Sequence, residues 1–313
     1  TYADPEVIHF GIVPRTNRGI FAINELPDLA ERIQVGLLNV LEERDVQIRG
    51  HKVRLPLDML VVATANPEDY TNRGRIITPL KDRYGAQIRT HYPLTLDDEI
   101  RVMESERGRF ELGGRELKVP EFITEIVAEV TRLARESPDI SQRSGVSVRM
   151  SVTNYEAMVA SALRRSLRTG EHVVTPRVVD LEALAASTAG KVELETFDEG
   201  SEGKVFEHLV QSAILTTFRD TVDAASHRDV VEAFEAGATV ATGEDISIET
   251  YAALLDEIPA LAGPVAEVLD GEDDADHPSM VASAVEFVLE GLHLAKRLNK
   301  HGSGTKAEYR ARS

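Results

Sequence analysis

The sequence predicts an α/β core followed by an all-α region. Two short apolar runs, IFAI at 20–23 and MLVVATAN at 59–66, each stop abruptly on polar groups. A helical pattern lies between them, and from Leu96 onward strand signals largely vanish.

The elements follow in order. The run at 20–23 comes after Gly19 and reads as a buried strand. Leu29, Ile33, Leu37, Val40 and Leu41 recur at helical spacing, so residues 28–43 form an amphipathic helix. In VQIRGHKVRL, residues 46–55, apolar and polar positions alternate on both sides of Arg49-Gly50-His51, the pattern of a hairpin. The second apolar run is another buried strand, stopped by Pro67. A helix bounded by a buried strand on each side implies a parallel sheet.

Beyond residue 95 the periodicity is helical. Residues 97–106 read as one helix, Ile123, Ile126, Val127, Val130, Leu133 and Ala134 make one face of the next, and Tyr155, Met158, Val159, Ala162, Leu163 and Leu167 another. A helix at 177–189 completes a small helical domain. The polar FDEGSEG segment at 197–203 reads as a boundary. Helices at 204–218, 222–236 and 279–299 follow, with a charged loop at 270–278 and a tail, HGSGTKAEYRARS, expected to be unstructured. Three domains are expected: 1–95, 96–195 and 196–313.

Composition narrows the class. The 313 residues are 42% hydrophobic, enough for a substantial core. Cysteine is absent, so disulfides and Cys-based chemistry are excluded. No apolar stretch approaches the roughly 18 residues of a membrane span, and the N-terminus carries no signal pattern. A cytoplasmic location is therefore expected. The net charge of −18 is concentrated: residues 1–95 carry 12 basic and 12 acidic side chains, residues 192–276 carry 3 and 22. Such a field disfavours nucleic acid and anionic membrane as partners. The histidines show no metal-ligand spacing.

The two strand ends carry the chemistry. Ligands of α/β sheets bind at the C-terminal ends of parallel strands, where Asn24 and Glu25 are expected. A carboxylate there can hold a water in line with a terminal phosphate, and a neighbouring polar group can orient a magnesium shell. The second strand ends on Thr64 and Asn66, whose amide could bond the same water or the phosphate.

As an ordered set, GIFAINELPDL, the helix, the hairpin, VVATANPEDY and PLKDRYG resemble the second half of an AAA+ ATPase core. The similarity is to the branch containing MoxR proteins and the ATPase subunit of magnesium chelatase. It is strong over residues 11–95 and weaker to about 190. The resemblance implies a partial parallel-sheet core, a helical lid domain and a C-terminal helical region. It implies a Walker B role for Asn24 and Glu25, with Glu25 as catalytic carboxylate, and sensor 1 at Asn66. It further implies an arginine finger at Arg83, acting on a neighbouring subunit, and a sensor-2 arginine at Arg149, for which Arg143 competes. Arg73 and Arg75 lie on a loop that could face the next subunit. ATP and water-mediated Mg2+ at Asn24 and Glu25 are the implied cofactors. A homo-oligomeric ring, a hexamer by resemblance, and a partner with a von Willebrand factor A-type domain are the implied assemblies, with remodelling or metal-cofactor maturation as the work done.

Two departures qualify this. Asn24 stands where the family usually has Asp; its amide oxygen can accept from a metal-bound water but supplies no charge, so weaker magnesium binding and slower hydrolysis are expected. No G-x-x-x-x-G-K-[ST] occurs; AGKVE around Lys191 and EGKVF around Lys204 lack the required residues and the preceding strand. The phosphate loop is expected on a segment preceding Thr1. The alternative is a non-hydrolysing interaction module derived from such an ATPase. The hairpin lacks the Gly-Ala-Phe-Thr-Gly-Ala loop of activators that remodel RNA polymerase, which argues against that role.

Overall fold

The computed structural model describes residues 10–43, 45–48, 51–54, 57–66, 75–141, 145–195, 201–303 and 306–312. The chain divides into two units, Thr1–His91 and Tyr92–Ser313, each with its own core.

In the first unit a short helix, α1 (Ile12–Arg15), leads into strand β1 (Ile20–Ile23), and α2 (Glu31–Leu38) follows. The helix expected over 28–43 is segmented: a 3-10 turn at Leu26–Asp28, then α2, then a π-helical turn at Asn39–Glu43. Strands β2 (Asp45–Ile48) and β3 (His51–Arg54) form the expected antiparallel hairpin, and its turn residues Arg49 and Gly50 lie outside the described residues. Strand β4 (Leu60–Ala63) pairs parallel with β1, Ile20 opposite Leu60 and Ile23 opposite Ala63. Helix α3 (Thr78–Lys81) closes the unit, with Leu80 fully buried beside Ile23, Leu26 and Leu37.

The expectation of strands buried on both faces is corrected. Phe21, Ile23, Val61 and Ala63 face the core. The alternate positions Ile20, Leu60 and Val62 are 66%, 60% and 45% exposed. Among the described residues this sheet has two strands, and helices cover one face of it.

The second unit is mainly helical: α4 (Leu96–Glu106), α5 (Glu121–Glu136), α6 (Arg149–Thr169), α7 (Leu184–Thr188), α8 (Ser201–Thr221), α9 (Arg228–Glu235), α10 (Ile248–Glu257), α11 (Ala262–Val268) and α12 (Pro278–Leu294). A two-residue parallel pair, β5 (Glu116–Leu117) with β6 (Val173–Val174), ties its first half together. Thr95 accepts from the Asp98 N–H and caps α4, whose first turn holds Asp97, Asp98 and Glu99, all favourable to a helix N-terminus. Glu99 is buried, bidentate with Arg135 at 2.8 and 3.1 Å and accepting from Ser151 at 2.5 Å, so one carboxylate joins α4, α5 and α6.

The helices before and after the polar segment at 196–200 contribute to one apolar core. Residues 196–200 themselves lie outside the described ones. The loop at 270–278 is a series of turns ending in α12. It is held by Lys118 on Asp274 at 2.6 Å and by the Glu121 N–H donating to Glu272 at 2.6 Å.

The tail expected to be unstructured pairs instead. Strands β7 (Val240–Gly243), β8 (Leu298–Ser303) and β9 (Lys306–Ala311) form an antiparallel sheet in the order β7-β9-β8. Ala307 and Tyr309, two residues apart, point into the core as period-2 alternation requires. The Tyr309 hydroxyl donates to buried Glu290, which also accepts from Lys300 at 2.8 Å. Helix α12 ends earlier than expected, at Leu294, and β8 begins four residues later.

Gly291 of α12 lets α8 approach. A Cβ there would lie 2.2 Å from the Phe218 ring, which is itself edge-on to Phe287. Alanine would gain about 1 kcal/mol in helix propensity, but overpacking a rigid ring contact costs about 1–3 kcal/mol. Gly291→Ala is therefore expected to lower the urea midpoint of the second unit, where a surface glycine-to-alanine change in a helix would raise it.

Candidate functional site

The site grows from strand alternation. On the open face of the sheet Ile20, Ala22 and Asn24 succeed one another on β1, and Leu60, Val62 and Thr64 on β4. Because the strands run parallel in this register, Asn24 and Thr64 leave the same edge side by side. The Thr64 hydroxyl donates to Asn24 Oδ1 at 2.6 Å and accepts from the Glu25 N–H at 3.0 Å. Backbone bonds extend the ladder past the strands, Thr64 N to Ile23 O at 2.9 Å and Leu26 N to Thr64 O at 2.8 Å. At the opposite edge Asn17 Oδ1 accepts from the Asp58 N–H at 2.8 Å. The pair is pinned at both ends.

Glu25 adopts a left-handed conformation, φ 52° and ψ 56°. Continued as a strand, residue 25 would follow Phe21 and Ile23 into the core. Burying an unpaired carboxylate costs several kcal/mol, whereas a non-glycine left-handed residue costs about 1–2 kcal/mol. The turn is the cheaper outcome. It leaves the Glu25 carboxylate exposed at the sheet edge and sends Leu26, 1% exposed, into the core in its place.

Asn66 lies two residues beyond Thr64, exposed on the coil leaving β4. The structure therefore brings Asn24, Glu25, Thr64 and Asn66 to one strand edge. Arg83 follows α3, with Nε donating to Glu42 Oε2 at 2.8 Å, Nη2 donating to the same oxygen, and Nη1 donating to Pro79 O at 2.7 Å. Arg149 belongs to the second unit, where it opens α6 with its side chain exposed. Arg143, which competes with Arg149 for the sensor-2 role, and the loop residue Arg73 lie outside the described residues.

Gln34 is the residue that sequence reasoning missed. It is 1% exposed on α2, donates to Leu29 O at 2.9 Å and Arg75 O at 3.1 Å, and accepts from the Ile77 N–H at 3.0 Å. One amide thus fastens the segment after Glu25 to the segment that leads to Arg83. The signal available was a polar residue between the apolar positions Ile33 and Leu37 of the helix.

The donor set suits a hydrated cation. Among the described residues no group of three or more His, Asp or Glu could form a cage of direct ligands. Glu25 offers a free-standing carboxylate, and Asn24 Oδ1 keeps one lone pair beyond the bond from Thr64. That is the arrangement by which magnesium, which retains several waters, is held.

Residues 1–81 match the profile of the Sigma-54 interaction domain, an AAA+ family. The uncharacterized protein YeaC of Bacillus subtilis strain 168 is 22% identical over 212 residues, which cover 62% of this chain and 64% of that protein. An archaeal Lon protease of Thermococcus kodakarensis is 25% identical over 142 residues, covering 42% of this chain and 22% of the protease. The chain thus spans less than two thirds of each curated relative. A crystal structure of a candidate ATPase from Cytophaga hutchinsonii aligns over 61% of this chain and 64% of that one at 16% identity, with a TM-score of 0.24, too low to equate the folds. The family match, over residues 1–81, supports an AAA+ ATPase-type domain there; nucleotide binding and oligomeric rings are common in that family. Among the described residues no helix is long and apolar enough to cross a membrane.

Buried and exposed polar contacts of the unit should separate in mutational cost. Gln34→Leu removes the three bonds of a buried amide to Leu29 O, Arg75 O and the Ile77 N–H at about 0.5–1.5 kcal/mol each, so it is expected to destabilise the first unit by about 2–4 kcal/mol. Glu42→Gln breaks an ion pair whose Arg83 and Glu42 side chains are 30% and 58% exposed, and is expected to change stability by less than about 1 kcal/mol. Urea denaturation of the two variants beside the parent measures both.

Proposed function

We propose that this chain contains the Walker B, sensor 1 and arginine-finger portion of an AAA+ ATPase related to MoxR proteins and the magnesium chelatase ATPase subunit. The observation that carries the reading is the parallel register of β1 with β4, which brings Asn24 and Glu25 to the same sheet edge as the end of β4, with Asn66 two residues further along the coil. Glu25 holds and deprotonates the attacking water, and Asn66 bonds that water or the terminal phosphate. Asn24 and Glu25 would hold magnesium, which when bound would supply charge neutralisation at the phosphates. Arg83 acts on the nucleotide of a neighbouring subunit in a ring, and Arg149 contacts nucleotide from the helical lid. Hydrolysis is coupled to remodelling or metal-cofactor maturation of a partner carrying a von Willebrand factor A-type domain. The lid lies within residues 96–195, and the acidic region at 196–313 serves docking.

A second reading, a non-hydrolysing assembly module, is favoured by one contact. Arg83 is engaged in cis by Glu42 and Pro79.

Phosphate release from ATP by the complete translation product of the reading frame decides between them. Glu25→Gln is expected to abolish release while nucleotide still binds, and Arg83→Ala to abolish it only in the assembled ring. Neither release nor binding, with a von Willebrand-type partner present, would leave the assembly module. Asn24→Asp adds a charge beside the hydrated cation, so the Mg2+ concentration for half-maximal release is expected to fall several-fold.

A further inference from the structure

We propose that Thr64 is a positioning residue of the hydrolytic site, setting both the backbone of Glu25 and the amide head of Asn24 through one hydroxyl. The inference rests on the nucleotide-hydrolysis reading above and names a residue to which that reading gives no part.

A hydroxyl has one donor and two acceptor positions. Thr64 uses the donor on Asn24 Oδ1 at 2.6 Å and an acceptor on the Glu25 N–H at 3.0 Å. The two bonds are mutually consistent. Accepting from Glu25 leaves the O–H proton to be directed at an acceptor, which fixes Asn24 with its oxygen toward Thr64. The Asn24 oxygen keeps its second lone pair for a further donor. Glu25 is held in the left-handed region by the same atom, with Leu26 N–H on the Thr64 carbonyl at 2.8 Å as the next support. A rotation of the Glu25 backbone back toward the strand region would swing its carboxylate from the edge toward Phe21 and Ile23. The hydroxyl therefore stands between the adjacent residues of β1 and governs where both point.

A strand-end staple with no catalytic consequence is the competing account. It predicts that removing the hydroxyl loosens the edge and leaves turnover per folded molecule unchanged. Positioning predicts a divided effect, because a displaced water-holding carboxylate affects the chemical step more than nucleotide binding. Misplacement of about 1 Å in a reacting group is enough to cost on the order of 100-fold in rate.

The test uses Thr64→Val, which keeps the shape and removes both hydrogen bonds, and Thr64→Ser, which keeps the hydroxyl. Both are made in the complete translation product and assayed with ATP and MgCl2. Thr64→Val is expected to lower kcat by roughly 10- to 100-fold with KM within about 3-fold of the parent, and Thr64→Ser to restore kcat to within about 3-fold. Amide hydrogen exchange at Glu25, read by NMR, is expected to quicken at least about tenfold in Thr64→Val and to return toward the parent in Thr64→Ser. Unchanged kcat in Thr64→Val, or a loss that Thr64→Ser fails to restore, overturns the proposal. Should the parent itself release no phosphate, the hydrolysis reading fails, and Thr64 as a positioning residue of that site fails with it. Exchange at Glu25 then reports separately whether the hydroxyl still fixes the turn, so the two failures are told apart.

Discussion

The parallel register between β1 and β4 is the constraint on which the candidate site depends. A slip of one residue would transfer every side chain of a strand to its other face. Thr64 would then lie on the core side, Asn24 would lose its neighbour, and Phe21 or Val61 would be driven to solvent. The apolar face prevents that slip: Ile23, Val61 and Ala63 pack on Leu26, Leu37 and Leu80. Packing on one face of the sheet thus specifies the polar arrangement on the other. The site's chemistry sits outside the core that sets its geometry.

The same division explains the strain at Glu25. A left-handed glutamate is disfavoured on its own, and a glycine there would adopt the conformation without penalty. The sequence instead places a carboxylate at a position where the backbone must turn out of the sheet, with three hydrogen bonds holding the turn: Glu25 N to Thr64 Oγ1, Leu26 N to Thr64 O, and Asp28 N to Glu25 O at 2.9 Å. Strain of this kind persists only where the surroundings over-determine it, and such places concentrate at functional sites.

Much of the first unit was legible because its signals are local. An apolar run that stops on Asn24-Glu25, an amphipathic helix and an alternating hairpin each declare themselves within a few residues. What escaped depends on pairing. Thr64 reads in sequence as one of two polar residues ending a strand, and only the register turns it into the bridge between Asn24 and Glu25. Gln34 reads as a helix surface position, and only the loop at 75–77 shows that its amide is buried. The open sheet face escaped for a further reason: an apolar run of four residues gives the same pattern whether one face is covered or two. In the second unit the tail was misread because Gly302, Ser303 and Gly304 suggest flexibility, although Ala307, Tyr309 and Ala311 alternate as a strand does. Strand β7 was missed because its partner lies more than sixty residues away in β9.

Arg83 shows how a finger could be kept without being locked. Its guanidinium is oriented by the Pro79 carbonyl and by two donors on a single Glu42 oxygen. An exposed ion pair of this type contributes about 0–1 kcal/mol. Hydrogen bonds to a charged group contribute about 1.5–3 kcal/mol, and a guanidinium meets a phosphate through two parallel bonds. In the trans role proposed for Arg83, a neighbouring subunit's phosphate has only that small contribution from Glu42 to displace. The cis contact then holds the side chain extended along one direction before a neighbour arrives, which reduces the ordering entropy to be overcome at assembly. Under the assembly-module reading the same contact has no competitor and remains a weak surface pair.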